Sequence, residues 1–319
     1  MQNVTKIYVG VDVAKNWLDI HIHPLGESMR VDNSVDGLDR ICKQLADKSV
    51  EQIVCESSGG YENLMVNTLR AKKYVVWRVD PKRVKAFIAS EGVKAKTDAI
   101  DARMIALFAS QKQCKYLTKG KSDSALQLTA LVKRRNDLSE IAALEKRRMK
   151  APDSHYCRAS IENIIKIAET EVADLDRKIN ELIKNDSDFN NRKKIIESIP
   201  GLGPVTAAAL LANMSELGTL ENKEAAALLG VAPYSKQSGT YRGFEFISGG
   251  RFLPRKALYM AALTAARCNP MMKIFYTRLR KAGKKAKVAL VAVMNKLIGV
   301  INAMLKKNTP WSYQEIYKV

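Results

Sequence analysis

Hydrophobic and polar positions alternate along the first eighty residues in a way that predicts a sheet. Residues 7–12, Ile-Tyr-Val-Gly-Val-Asp, alternate and end on an acid; residues 17–23, Trp-Leu-Asp-Ile-His-Ile-His, alternate again as a neighbouring strand. His21 and His23 then share a strand face and read as ordinary strand residues. A third short strand is expected near residues 29–31, followed by an amphipathic helix over 35–45. Ile53-Val54-Cys55 is a short apolar run of the buried-strand type, ending in Glu56 and then Ser57-Ser58-Gly59-Gly60. A helix over 61–72, a strand over 75–79 and a later helix containing Asp98 and Asp101 complete the series. The predicted order is three strands, helix, strand, helix, strand and helices.

The pattern changes to helical periods in the rest of the chain. Residues 124–150 form a basic helix with Lys133-Arg134-Arg135 and Lys146-Arg147-Arg148, broken near Pro152. A second helix carries Ile161, Ile165, Ala168, Val172, Leu175, Ile179 and Leu182 in alternating steps of four and three, a heptad seam. Two antiparallel helices of one chain, or a coiled coil between subunits, would bury it. Ser198-Ile199-Pro200-Gly201-Leu202-Gly203-Pro204-Val205 lies between two apolar helices and resembles a helix-hairpin-helix motif, whose backbone N–H groups meet a phosphate. A simple helix–helix turn would use the same glycines for their dihedrals. Residues 225–229 are helical, Gly230-Val231-Ala232-Pro233 follows, and the polar stretch 234–243 is expected to be a loop.

Charge narrows the functional classes. The chain has 319 residues and a formal net charge of +20, which argues for a polyanionic partner, most simply DNA or RNA. No apolar run is expected to reach the roughly 20 residues that span a bilayer. No signal peptide is read at the N-terminus. The five cysteines are scattered without a C-x-x-C pair, so neither a zinc site nor a disulfide framework is supported, and a reducing cytoplasm fits best.

The chemistry concentrates in acids. Lys96-Thr97-Asp98-Ala99-Ile100-Asp101-Ala102-Arg103 places two aspartates three residues apart on one helical face. A divalent cation is one reason for such a pair; a helix N-terminus that favours negative charge is another. The element order resembles the RNase H-like fold in its RuvC-like version. That resemblance implies one acid on the first strand, one ending the fourth and one or two on a late helix, here Asp12, Glu56, and Asp98 with Asp101. Four carboxylates suit Mg²⁺ or Mn²⁺.

Taken alone, the hydroxyls of Ser235 and Ser238 beside Lys236 and Arg242 belong to an ordinary Ser/Gly loop. Several motifs in order say more: Gly-Val-Asp-Val-Ala-Lys around Asp12, Glu56 before Ser-Ser-Gly, Lys-Thr-Asp-Ala-Ile-Asp-Ala-Arg, Ile-Pro-Gly-Leu-Gly, Gly-Val-Ala-Pro, Gln-Ser-Gly and Arg-Lys-Ala-Leu-Tyr. Nearly the whole chain resembles the IS110 family of DEDD transposases and its relatives, the pilin-gene invertases.

The resemblance implies a RuvC-like DEDD domain over residues 1–118, a helical coiled-coil linker over 119–190 and a mainly α transposase domain over 191–319. It also implies site-specific DNA recombination, with a serine attacking double-stranded DNA. The family's serine precedes a glycine and maps to Ser238, with Ser235 as a second candidate. A dimer or tetramer is expected, since strand exchange pairs duplexes. The insertion-sequence branch uses a structured bridge RNA, and the basic linker and the 278–287 cluster are compatible with RNA or DNA. Expected nucleic-acid contacts are Lys96 and Arg103 beside the aspartates, Lys133, Arg134 and Arg135 on the linker, and Gly201 and Gly203 in the hairpin. Lys236, Arg242, Arg251, Arg255, Lys284 and Lys285 complete them. The rivals are a hydrolytic RuvC-like nuclease and a non-catalytic nucleic-acid-binding protein.

Overall fold

A computed structural model describes residues 5–92, 97–112, 122–238 and 241–312, with the backbone only at 99, 236–238, 241, 242 and 244. The chain divides into two compact units, Met1–Lys121 and Ser122–Val319.

The first unit is built on a five-stranded sheet. Its elements are β1 (Ile7–Val13), β2 (Trp17–His23), β3 (Glu27–Asp32), α1 (Val35–Leu45), β4 (Val50–Glu56), α2 (Asn63–Ala71), β5 (Val76–Val79), α3 (Pro81–Ser90) and α4 (Asp98–Gln111). The strand order is β3-β2-β1-β4-β5. β1, β2 and β3 pair antiparallel through short connections, whereas β1, β4 and β5 pair parallel. This is the order expected from the sequence, and it is compatible with an RNase H-like domain.

The period-2 alternation divides the sheet residues between two faces. Val9, Val11, Leu18, Ile20, Ile22, Ile53 and Cys55 pack with Leu38, Ile41 and Leu45 of α1 and Met65, Val66 and Leu69 of α2. On the other face Val54 and Val79 meet Val84 and Phe87 of α3 and Met104, Ile105 and Phe108 of α4. Asp12, two residues beyond Gly10, belongs to this second face.

The second unit is mainly helical: α5 (Asp123–Arg148), α6 (Arg158–Asn185), α7 (Ser187–Glu197), α8 (Pro204–Asn213), α9 (Asn222–Leu229), β6 (Pro233–Ser238), β7 (Tyr241–Ile247), α10 (Phe252–Cys268), α11 (Pro270–Lys281) and α12 (Ala286–Lys307). α5 and α6 run antiparallel, as the pairs Arg135–Asp176 and Lys146–Glu169 show. The heptad seam is therefore covered within one chain: Ile161, Ala168, Leu175 and Ile179 are buried, as are Leu128, Val132, Leu138 and Ala142 opposite. α8 is buried nearly all round, with Ala207, Ala208, Ala209 and Leu210 in the core and α5, α7 and α10 packed around it.

Two expectations need correction. Residues 234–243 are not an open loop: β6 and β7 form an antiparallel ribbon in which Ser238 pairs with Tyr241, and the register shifts between Ser235 and Gln237. Among its described side chains Tyr234, Phe246 and Ile247 are all exposed, so these positions carry no inward-facing apolar alternation to read. The second concerns α12, whose 22 residues are apolar and long enough to cross a membrane by length and composition. Half of its apolar window is buried inside the protein, where Val293, Leu297, Ile298 and Ile301 join the core.

Candidate functional site

Close packing of α4 on β1 brings aspartates of the first unit together. A Cβ added at Gly10 would stand 2.2 Å from the Ala106 amide nitrogen and 2.3 Å from the Ala102 carbonyl oxygen. Only glycine on the strand and small residues on the helix permit that approach. Gln52 of β4 fixes the far end of α4, donating to the carbonyls of Ala109 at 2.5 Å and Lys112 at 2.6 Å. At the near end Thr97 caps the helix by accepting from the Ile100 N–H at 3.3 Å, and Asp98 and Asp101 occupy the first turn.

Asp12 senses both of them. Burial pushes its carboxyl above the ordinary value, and the charges of Asp101, Asp98 and Asp19 push in the same direction. Negative charge is thus crowded at the end of β1. Glu56 ends β4 directly after Cys55, the register partner of Val11, so it follows in the neighbouring parallel strand beside Asp12. The donor set is all carboxylate oxygen, which matches the chemistry of a hard divalent ion. Among the described residues, however, no three His, Cys, Asp or Glu side chains form a group that could hold a metal ion. Asp98 is turned instead to an arginine.

That arginine and its partner were not predicted. Asp12 faces Asp19 across β1 and β2, and Asp19 faces Arg30 across β2 and β3. Arg30 donates from Nε and Nη2 to both oxygens of Asp19, each at 2.8 Å, and from Nη2 to Asp98 Oδ2 at 3.2 Å. Its guanidinium lies 5.3 Å from the centre of the Trp17 ring. Asp19 is only 8% exposed, so its charge needs this fork. On the same face His21 Nδ1 meets Ser28 Oγ at 2.8 Å. Burial holds that imidazole below its ordinary value, with Arg103 and His23 adding to the effect. His21 behaves as the satisfied strand residue expected.

Glu62 was also missed. It is 2% exposed and accepts from the Ser58 N–H and Oγ, the Gly60 N–H and Arg78 Nη1. Burial alone would raise its pKa, but these hydrogen bonds and the Arg78 charge hold it below the ordinary value. Glu62 thereby fixes the turn that follows Glu56. Its signal in the sequence was slight, an acid two residues after Gly-Gly.

The basic residues divide into two groups. Lys133, Arg134, Lys284 and Lys285 are exposed, as is Arg103. Arg135 grips Asp176 at 2.9 and 3.1 Å. Arg251 grips Glu216 at 2.6 and 2.7 Å, and Arg255 donates to the carbonyls of Gly230 and Gly249. These three side chains brace the fold. Gly201 has φ of +101°, and a Cβ there would lie 2.6 Å from Ala265 Cα, so close packing on α10 accounts for this glycine. Gly203 caps α8 with open space where its Cβ would be. Lys96 lies outside the described residues, as do the side chains of Lys236, Ser238 and Arg242; Ser235 is exposed on β6. A cavity of about 670 Å³ beside α9 and α12, lined by Asn222, Asn295 and Trp311 among others, contains none of the predicted residues.

A mixed five-stranded sheet, in a chain that continues into a mainly helical unit, is compatible with a RuvC-like domain followed by a helical one. Residues 9–152 match the DEDD transposase model of IS110, and residues 193–277 match the transposase model of the IS116/IS110/IS902 family. The chain belongs to the IS110 family of transposases. It is similar to the pilin gene-inverting protein of Moraxella bovis, 27% identical over 318 residues that cover 97% of this chain and 98% of that one. The pilin gene-inverting protein of Moraxella lacunata matches to the same extent. An uncharacterized 43.6 kDa protein of insertion element IS110 from Streptomyces coelicolor is 33% identical over 118 residues, 36% of this chain and 29% of that one.

Proposed function

We propose that this transposase is a site-specific DNA recombinase that acts by metal-assisted serine attack on DNA phosphodiesters. The carrying observation is the close packing of α4 on β1 at Gly10, which sets the helix bearing Asp98 and Asp101 against the strand bearing Asp12. Asp12, Glu56, Asp98 and Asp101 are the residues that would hold Mg²⁺ or Mn²⁺. The ion, when bound, supplies Lewis-acid stabilisation of charge on the scissile phosphate.

Ser238 is the nucleophile in this reading, with Ser235 as the alternative. Its oxygen bonds to phosphorus as one P–O bond of the DNA backbone breaks, the proton lost by the serine ends on the leaving DNA oxygen, and a phosphoserine remains. One phosphodiester replaces another, so no ATP is needed, and attack by a DNA hydroxyl later reverses the bond. Lys236 and Arg242 supply positive charge beside the serine. Gly203 at the start of α8, with Lys133, Arg134, Lys284 and Lys285, contacts phosphates of double-stranded DNA or of a structured guide RNA. The protein works as a dimer or tetramer in the cytoplasm, with residues 1–118, 119–190 and 191–319 as its functional divisions.

DNA inversion is favoured over movement of an element by one observation: the match to the pilin gene-inverting proteins spans 98% of their length, whereas that to the IS110 protein spans 29%. Rearrangement products of the DNA flanking the gene separate these outcomes. The mechanism is tested with protein purified from cells that carry that flanking DNA. Wild type should yield a covalent protein–DNA adduct on denaturing gels. Ser238→Ala should yield none while still binding DNA, and an adduct that persists refutes the serine assignment. Free nicked DNA without an adduct would support the hydrolytic nuclease.

A further inference from the structure

The cavity of about 670 Å³ in the second unit lies among α9, α12, the start of β6 and residues 309–312. Its walls are small or flat: Ala226, Pro233, Ala303, Pro310 and Trp311. Gly299 of α12 lines it as well. A glycine inside a helix is destabilising relative to alanine, and packing does not require this one. A Cβ there would come no closer than 3.6 Å, to Asn222 Cγ, which is ordinary contact. The missing side chain leaves open space in the cavity instead. Two amides in the lining are held in place. Asn222 Oδ1 accepts from Asn302 Nδ2 at 3.1 Å, and Asn295 Nδ2 donates to the Val231 carbonyl at 3.1 Å. Lys223, Lys296 and Lys307 complete the lining, all three exposed, and among its described residues there is no acid.

We propose that this cavity takes one unpaired nucleotide of a single-stranded nucleic acid, with its base among Gly299, the two asparagines and Trp311, and the phosphates of the strand on the three lysines. The inference rests on the reading of the chain as a nucleic-acid enzyme, and it adds a site that the phosphodiester chemistry does not use. Small-molecule sites of this size are mostly apolar with a few fixed polar groups. A base matches that lining: its faces stack on an aromatic ring, and its edges donate and accept as an asparagine amide does. The lysines decide between a strand and a free nucleotide. Lys296 and Lys307 are eleven residues apart on α12, roughly 16 Å along the helix axis, farther than one phosphate group spans. Lys296 is held over the Phe275 ring, 5.2 Å from Nζ to its centre. Successive phosphates of a strand crossing the mouth meet both lysines, and a base unstacked from that strand enters between them. Pro233 lines the cavity and opens β6, so a strand held there runs beside the ribbon that carries Ser238.

The test uses full-length protein and a short labelled oligodeoxyadenylate strand, read by fluorescence anisotropy, with adenosine 5′-monophosphate and duplex DNA as the other ligands. Gly299→Leu fills the cavity from a helix position that favours leucine over glycine, so its unfolding temperature should not fall. It should bind the single strand about tenfold more weakly than wild type, the loss of one stacked base, and bind duplex as wild type does. Lys223→Ala/Lys307→Ala changes only exposed side chains and should lower the salt slope of single-strand binding by about one unit. Wild-type single-strand affinity in folded Gly299→Leu, or an unchanged salt slope in the lysine variant, overturns the site. Monophosphate binding as tight as that of the strand overturns the strand as its occupant. Wild type that binds duplex but not single strand overturns the site and leaves the nucleic-acid reading standing. Wild type that binds neither overturns both.

Discussion

The two units solve the problem of holding charged residues in different ways. In the first, charge is built into the sheet: Asp12, Asp19 and Arg30 form a row across β1, β2 and β3, and α4 lies over its edge through Gly10, Ala102 and Ala106. In the second, the core is alanine-rich helix on helix, and several basic side chains are carried outside it. The ribbon that bears Ser238 likewise has exposed aromatic residues on its strands. Groups that must be held against mutual repulsion are placed on rigid, partly buried strands. Groups that meet a large polyanion need only stand in water with their charges together.

The contrast predicts unequal responses to small changes. The largest is at Gly10: Gly10→Ala places a methyl against the backbone of α4 and should cost about 3 kcal/mol in chemical denaturation. Loss of under about 0.5 kcal/mol would show that α4 moves away freely. Next is Glu62, whose hydrogen bonds hold the turn after Glu56. Glu62→Gln should cost about 2 kcal/mol at neutral pH. A carboxyl whose folded pKa is depressed stabilises the fold above its ordinary value of 4.5, and this is lost as pH falls through the depressed value. The wild-type advantage should therefore vanish in acid, and a gap independent of pH would contradict this role. The smallest effect on stability is in the second unit. Lys284→Ala/Lys285→Ala should leave unfolding within about 0.5 kcal/mol and lower the salt dependence of DNA binding by about one to two ions. Arg251→Gln should do the reverse, because its fork grips Glu216.

Much of this division was legible in the chain. The alternating runs gave β1 to β5 in order, with α1 at its observed bounds, because buried strands and amphipathic helices leave strong periods. Asp12 and the Asp98–Asp101 pair stood out at an element end and on a helix face. Asp19 and Arg30 did not, since polar residues alternating with Leu18, Ile20 and Ile22 look like a solvent face until α4 covers it. Arg135, Arg251 and Arg255 were expected to contact nucleic acid because their acceptors lie 41, 35 and 25 residues away in sequence or are backbone carbonyls. The β6–β7 ribbon was invisible for the opposite reason: where its side chains are described, Tyr234, Phe246 and Ile247 are exposed, and nothing forces an apolar alternation there.

We propose that the acids of the first unit and a serine of the second serve one reaction. Its most direct test is peptide mapping of the covalent adduct formed in Mg²⁺ on the protein's own flanking DNA. The account predicts a nucleotide phosphate on the peptide containing Ser238, at that oxygen, and no adduct from Asp12→Asn. Attachment at any residue other than Ser238 or Ser235, or full adduct yield from Asp12→Asn, would contradict it.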